Sequence, residues 1–138
     1  MDKEYSLIED KKVILKNNEQ ILLKLYYNDI YKYYEIRAYD NDKDIGFTNF
    51  KFESNGSTVW LQNIQVTDDN FLSKGVGKAM LKMFENVCTN ARRFHVEGKF
   101  YPKGNGAHLT RGFYERNGYS IYKDDYETYV DKRLSIEK

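Results

Sequence analysis

The sequence has few of the residues that mark several large classes of protein. It contains one cysteine, Cys88, which can form neither an internal disulfide nor a cysteine-based metal cluster. We therefore expect a reduced, cytoplasmic setting and no bound metal. Pro102 is the only proline, no linker of serine or glycine interrupts the chain, and 138 residues fit one domain over residues 1–138. No apolar run is long enough to cross a bilayer, so we expect no membrane partner.

Neither sign of charge dominates the chain. Its 22 basic and 21 acidic residues leave a formal net charge of +1, and without a positive field we expect no nucleic-acid partner. Aromatic residues are the abundant class, at 16% of the chain with 13 tyrosines. Many of these tyrosines lie in alternating stretches, which favours packing on strands over a ligand site.

The first half of the sequence consists of β-prone segments separated by turn clusters. Asp40-Asn41-Asp42 and Ser54-Asn55-Gly56-Ser57 are typical turn sequences, and the short spacing between them predicts an antiparallel meander. The predicted strands cover residues 20–27, 31–39, 45–52 and 59–66, with a further short one around residues 13–15.

The second half changes to helical periodicity. Apolar residues recur every three or four positions over residues 76–91, which predicts a long amphipathic helix with Cys88 on its buried stripe. Glu85 falls on the opposite, polar face. A strand over 94–100, a short helix over 107–116 ended by Asn117-Gly118, and strands over 119–122 and 126–134 complete the chain. This order of elements predicts an α/β (α+β) fold with a mixed sheet.

The turn that leads into the long helix has the composition of an anion site. Gly75 and Gly77 allow a ligand to approach the backbone closely, where the helix start presents unpaired N–H groups and a partial positive charge. Lys74 and Lys78 add charge at its rim. Taken alone, such a turn is also compatible with ordinary turn chemistry.

Three segments, read together, are similar to one known family. Strand 61–66, the Gly75-Val76-Gly77 turn and the run from Phe113 to Tyr119 resemble the GNAT (Gcn5-related) N-acetyltransferase superfamily. Leu72 stands where that family has Gln or Arg, and Ala107 stands where it often has Asn, with Asn105 nearby as a substitute. The resemblance implies a mostly antiparallel central sheet with a long helix after the central strand and a short helix near the C-terminus. The helix pair that often follows the family's first strand has no candidate here.

The resemblance also implies acetyl-CoA as the acetyl donor and an amine, on a small molecule or a peptide, as the acceptor. The exposed edge of the strand would pair with the pantetheine arm, and a backbone N–H near Val66 would polarise the thioester carbonyl. Backbone N–H groups of the turn would hold the coenzyme pyrophosphate. The residues implied in coenzyme binding are Ile64, Gln65, Val66, Ser73, Lys74, Gly75, Val76, Gly77, Lys78 and Asn105.

Two residues are the candidates for acid–base chemistry. Tyr114 matches the family's helix tyrosine and is the candidate acid that protonates the leaving thiolate; the alternative is one more packed aromatic. Glu97 lies in the middle of a strand beside the expected cleft and is the candidate base; the alternative is a solvent-facing or ion-paired glutamate. His95 shares the face of Glu97 but is more typical of a structural histidine.

Two other kinds of protein stay open at this point. One is a coenzyme A-binding module with the same fold and no transfer activity, and the other is an unrelated α+β domain. An edge strand at either end of the sheet could pair between subunits, which permits a homodimer.

Overall fold

The computed structural model describes residues 4–54, 56–100, 111–123 and 127–135. Its strands form one sheet in the order β1-β2-β3-β4-β5-β6-β8-β7, antiparallel everywhere except between β5 and β6. The mixed, mostly antiparallel sheet with a long helix after its central strands is therefore confirmed. The strands are β1 Tyr5–Ile14, β2 Gln20–Asn28, β3 Tyr33–Asp40, β4 Lys43–Phe52, β5 Thr58–Val66, β6 His95–Phe100, β7 Ser120–Lys123 and β8 Thr128–Arg133; the helices are α1 Val76–Asn90 and α2 Arg111–Arg116.

Strand β1 differs most from the sequence-based expectation. It spans ten residues, whereas the pattern predicts only a short strand near residues 13–15. It lies at the edge of the sheet and most of its side chains are exposed, so the alternation of apolar and polar residues that signals a half-buried strand is lost. A tight hairpin follows, with Leu15 N–H bonded to Glu19 O at 2.8 Å and Asn18 at φ +68°. This hairpin connects β1 to β2 directly, in agreement with the lack of a candidate helix pair.

Helix α1 packs on one face of the sheet and forms the core with it. Phe84 meets Phe50 of β4 edge-on, with ring centroids 4.6 Å apart. Cys88 is fully buried, which confirms its predicted place on the apolar stripe. The side chains of β5 alternate, so that Ile64 points into this core while Trp60 and Gln65 belong to the opposite face.

The sheet opens between its two parallel strands. β5 and β6 pair from Thr58 opposite His95 to Leu61 opposite Gly98, and no further. At that point β5 has a bulge: Leu61 and Asn63 face consecutive residues of β4, which leaves Gln62 without a partner. A bulge bends its strand and increases its twist. Beyond it, β5 continues to Val66 and pairs only with β4 among the described residues, so within that part of the chain its other edge is unpaired.

Candidate functional site

The free edge of β5 presents backbone donors to the gap left by β6. Thr67 N–H donates to Ile45 O of β4 at 2.9 Å, and Asn63 O accepts from Thr48 Oγ1 of β4 at 2.7 Å. The N–H of Thr67 and the C=O of Asn63 therefore point toward β4. Because successive backbone groups of a strand alternate in direction, the N–H groups of Ile64 and Val66 point the other way, into the gap. An extended chain can pair there as an added strand would.

The turn before α1 brings a second set of donors to the same place. Ser73 and Gly75 both have left-handed backbone angles, with φ +63° and +95°. Gly75 caps the helix without a side-chain hydrogen bond, and the first turn of α1 contains no acidic residue. The first N–H groups of the helix therefore have no side-chain acceptor at the cap, and the dipole there favours an anion.

A cavity of about 500 Å³ joins this turn to the end of β5 and to α2. It unites most of the sequence-predicted coenzyme residues with part of the motif that begins at Phe113. A larger cavity of about 580 Å³ lies at the other end of α1 and shares no lining residue with it. The lining residues of the smaller cavity are Lys16, Val66, Phe71, Ser73, Gly75, Val76, Gly77, Lys78, Phe113, Arg116 and Asn117.

Three of the predicted coenzyme residues that the structure describes are not among the residues that line the cavity. Lys74 Nζ lies 3.3 Å from Glu19 Oε1, in an ion pair that ties the turn to the β1–β2 hairpin. Ile64 is a core residue, and Gln65 donates to Asn63 Oδ1 at 3.2 Å on the other side of the sheet. Any contribution of Ile64 and Gln65 comes through their backbone. Asn105 lies outside the described residues.

Two cations of the cavity were not among the candidates from the sequence. Lys16 belongs to the hairpin after β1, and Arg116 ends α2. Arg116 lies inside the motif that resembles the family, but no feature of the sequence marks its side chain as part of a binding site. Lys16 is far from the motif in sequence and is brought to it only by the sheet. With Lys78, they place three cations around the cap of α1.

Tyr114 lies in the interior of the protein. It is 5% exposed and packs edge-on against Phe113 and Tyr119, at centroid distances of 5.5 and 5.9 Å. Burial raises the pKa of its hydroxyl above the usual value. A tyrosine in this state keeps its proton at neutral pH, so it can act as a hydrogen-bond or proton donor but not as a base.

Glu97 and His95 do share one face, as predicted, and Asp131 joins them there. His95 Nδ1 is 3.4 Å from Glu97 Oε1, and His95 Nε2 is 3.7 Å from Asp131 Oδ1. Glu97 is also the cross-strand neighbour of Trp60, one residue before β5 and β6 part. The side chain of Glu97 is 36% exposed, so solvent reaches a carboxylate–imidazole–carboxylate row on the face opposite α1.

Glu85 does not lie on an open polar face, which corrects the helical-wheel assignment. Its carboxylate accepts from Tyr119 Oη at 2.8 Å and from Lys132 Nζ at 3.1 Å. Lys132 also donates to Asn117 O at 2.8 Å, next to Gly118, whose φ of +87° ends α2. This half-buried network holds the end of α2, and with it the Phe113–Tyr119 motif, against α1 and β8.

Three buried acidic groups predict a loss of stability at high pH. Burial is the main cause that raises the pKa values of Cys88, Tyr114 and Tyr119. A raised folded-state pKa stabilises the fold fully below the unfolded pKa, and that stability is lost as pH rises toward the folded value. We expect the free energy of unfolding to fall above about pH 9, by about 1.4 kcal/mol per pH unit for each group that titrates only when unfolded. Urea unfolding across this range measures it, and an unchanged free energy up to about pH 11 would contradict it.

Known structures share this architecture. No protein-family model and no curated protein matches the sequence. PaiA N-acetyltransferase from Thermoplasma acidophilum, in complex with coenzyme A, matches with a TM-score of 0.64 at 17% identity, over 75% of this chain and 62% of that one. Aminoglycoside 6'-acetyltransferase type Ii matches with 0.64 at 16% identity, over 78% and 72%. Tetrahymena GCN5 matches with 0.64 at 13% identity, over 80% and 73%.

These similarities establish the fold: the chain folds as the GNAT acetyltransferases do. It spans 62% of the length of the PaiA chain. Across the ranges that the structure describes, no helix combines the length and apolar character needed to span a membrane. Within the same ranges, no set of three or more His, Cys, Asp and Glu side chains is arranged to hold a metal ion.

Proposed function

We propose that this protein is a GNAT-type N-acetyltransferase that moves the acetyl group of acetyl-CoA to a primary amine on a small molecule or peptide. One observation carries the proposal. The free edge of β5, the uncapped start of α1 and the motif at the end of α2 all border one cavity. The cavity offers strand-like donors for an extended amide chain and, beside them, backbone N–H groups with three cations for a pyrophosphate.

In the proposed reaction the amine nitrogen attacks the thioester carbonyl, the C–N bond forms and the C–S bond breaks. The Val66 N–H, directed into the gap, stabilises the negative charge that develops on the carbonyl oxygen. Glu97 takes the proton that the nitrogen loses, directly or through water, and Tyr114 protonates the leaving thiolate. In this scheme the coenzyme binds on the side of α1 and the amine enters from the face that carries Glu97.

A matched pair of glycine variants tests the coenzyme site. Gly75 and Gly56 have nearly the same left-handed backbone, with φ +95° and +93°, and an added Cβ meets nothing within 4 Å at either position. Alanine should therefore cost each about the same 1–2 kcal/mol of strain. Only Gly75 borders the cavity, so we expect Gly75→Ala to weaken acetyl-CoA binding by about tenfold, which is 1.4 kcal/mol, and Gly56→Ala to leave it unchanged.

Thermal unfolding with and without acetyl-CoA gives the readout. A ligand at one hundred times its Kd adds about 2.7 kcal/mol to the stability of the folded state and raises Tm. No rise of Tm for the wild-type protein at millimolar acetyl-CoA would refute the proposal. An equal loss of binding in both glycine variants would refute the pyrophosphate site at Gly75.

A second candidate function is a coenzyme A-binding module without transfer activity. Two observations favour it: Tyr114 is almost fully buried, and a hairpin replaces the helix pair that often shapes the acceptor side in this family. Release of free thiol from acetyl-CoA, measured with polyamines, aminoglycosides, amino acids and peptides, separates the two. A bound coenzyme with no thiol release for any of them would favour the module.

A further inference from the structure

Strand β1 leaves a long edge of the sheet open. It is the first strand in the sheet order and pairs only with β2, so its outer row of N–H and C=O groups faces away from the described sheet. Leu7, Ile8 and Ile14 are exposed by 53%, 53% and 61%. An edge of ten residues with exposed apolar side chains is a template for another strand.

The charges of this strand are self-complementary. Glu9 and Asp10 are followed at once by Lys11 and Lys12, so an antiparallel second copy sets acids against bases. In a two-fold pairing the axis is normal to the sheet, and residues that oppose each other must lie on the same face. Within the regular part of β1, numbers of equal parity therefore pair.

We propose that β1 forms an antiparallel pair with β1 of a second copy, with Asp10 of each chain opposite Lys12 of the other. In this register Ile14 of one chain reaches the bulge at Ile8 of the other, so exposed apolar groups meet. Lys11 lies at the axis opposite its own copy, with Glu9 of both chains as neighbours on the same face. The contact continues the sheet across two molecules and is independent of the proposed acetyl transfer.

The composition of the edge explains why the occupant is a second copy. Lysines and a bulge on an edge strand normally discourage pairing with other chains. Here two acidic residues, Glu9 and Asp10, directly precede the two lysines of the edge. An unrelated apolar strand that paired with β1 would leave all of these charges without a partner across the interface. A second copy in this register pairs Asp10 and Lys12 twice.

A charge-swap experiment tests the register. Asp10→Lys places like charges opposite each other in both symmetric pairs, and so does Lys12→Asp. We expect each single variant to dissociate at least about tenfold more readily than wild type. Mixed together, the two variants restore an attractive pair at both positions, and we expect a heterodimer. Analytical ultracentrifugation over a dilution series, with one variant carrying a mass label, measures both effects.

The controls separate pairing from folding. Asp10 is also the cross-strand neighbour of Lys24 in its own β2, so Asp10→Lys sets two lysines opposite each other and brings a loss of stability inside the monomer. The double variant Asp10→Lys/Lys12→Asp has the same loss but opposes unlike charges again, and it should dimerise. Lys82→Asp, on the exposed face of α1, should dimerise as wild type does. A wild-type protein that is monomeric throughout the series, or single variants that dimerise as strongly as wild type, would overturn the proposal.

Discussion

Replacing Tyr114 with phenylalanine is expected to lower the rate of acetyl transfer by about 10²–10⁴-fold, the usual contribution of a positioned acid. The hydroxyl oxygen is the only heavy atom removed, and at neutral pH this hydroxyl carries the proton that the leaving thiolate requires. Coenzyme binding should stay within about threefold, because the proposed pyrophosphate site is lined by Gly75, Gly77 and Lys78, which the substitution leaves in place. Turnover from thiol release and Kd from calorimetry measure the two effects separately.

Two further measurements make this prediction specific. Tyr122→Phe removes a hydroxyl from a 44% exposed tyrosine that stacks on Tyr129, and it should leave turnover unchanged. Urea unfolding of Tyr114→Phe should show a loss of no more than about 0.5–1.5 kcal/mol, the net value that one hydrogen bond of the hydroxyl would have, which is too small to unfold the protein. Equal turnover in the Tyr114→Phe variant and wild type would remove Tyr114 from the mechanism.

Substituting alanine for Gly98 is expected to lower the free energy of unfolding by about 1–3 kcal/mol, as overpacking does in a filled interior. A Cβ at this position would lie 2.6 Å from the Leu61 carbonyl oxygen, which is a backbone atom and cannot rotate away. Leu61 and Gly98 form the last pair before β5 and β6 part. Relief of the clash therefore requires the strands to separate earlier than they do in the wild type.

Urea unfolding measures this loss, and the exposed strand substitution Ser120→Ala should change stability by less than about 0.5 kcal/mol. Since the gap begins at Gly98, the same variant should also weaken acetyl-CoA binding. A Gly98→Ala protein with wild-type stability and wild-type binding would contradict the assignment of Gly98 as the point of close approach.

Helices and strands with one buried and one exposed side are predictable from the sequence, because burial of one side makes apolar residues recur at a regular spacing. The alternation in β3 and the stripe in α1 predict these elements to within about two residues of their observed ends. The same logic fails for β1, where neither face is covered and no period is selected. It also fails for Glu85, because the position of a residue on a helical wheel does not reveal its contacts with Tyr119, just before β7, and with Lys132 of β8.

The residues of the candidate site also differ in whether they could be predicted from the sequence. Residues that act through their backbone, such as Gly75 and Val66, belong to local motifs and could be proposed from sequence. Side chains that reach the cavity from a distance, such as Lys16, depend on the packing of the whole sheet. Glu97 and His95 could be placed on one face by strand alternation, but Asp131 joins them only because β6 pairs with β8.

The buried sulfur of Cys88 has a practical consequence for experiments on this protein. Thiolate is the form that reacts with disulfide and maleimide reagents, and burial, which raises the pKa of this thiol, keeps it protonated and out of their reach. In the native protein a thiol-detecting dye should therefore react only with the coenzyme A that is released. Once the helix that carries Cys88 separates from the sheet, the sulfur becomes accessible to the reagent. The rate of labelling therefore reports how often the core opens, and no engineered probe is needed.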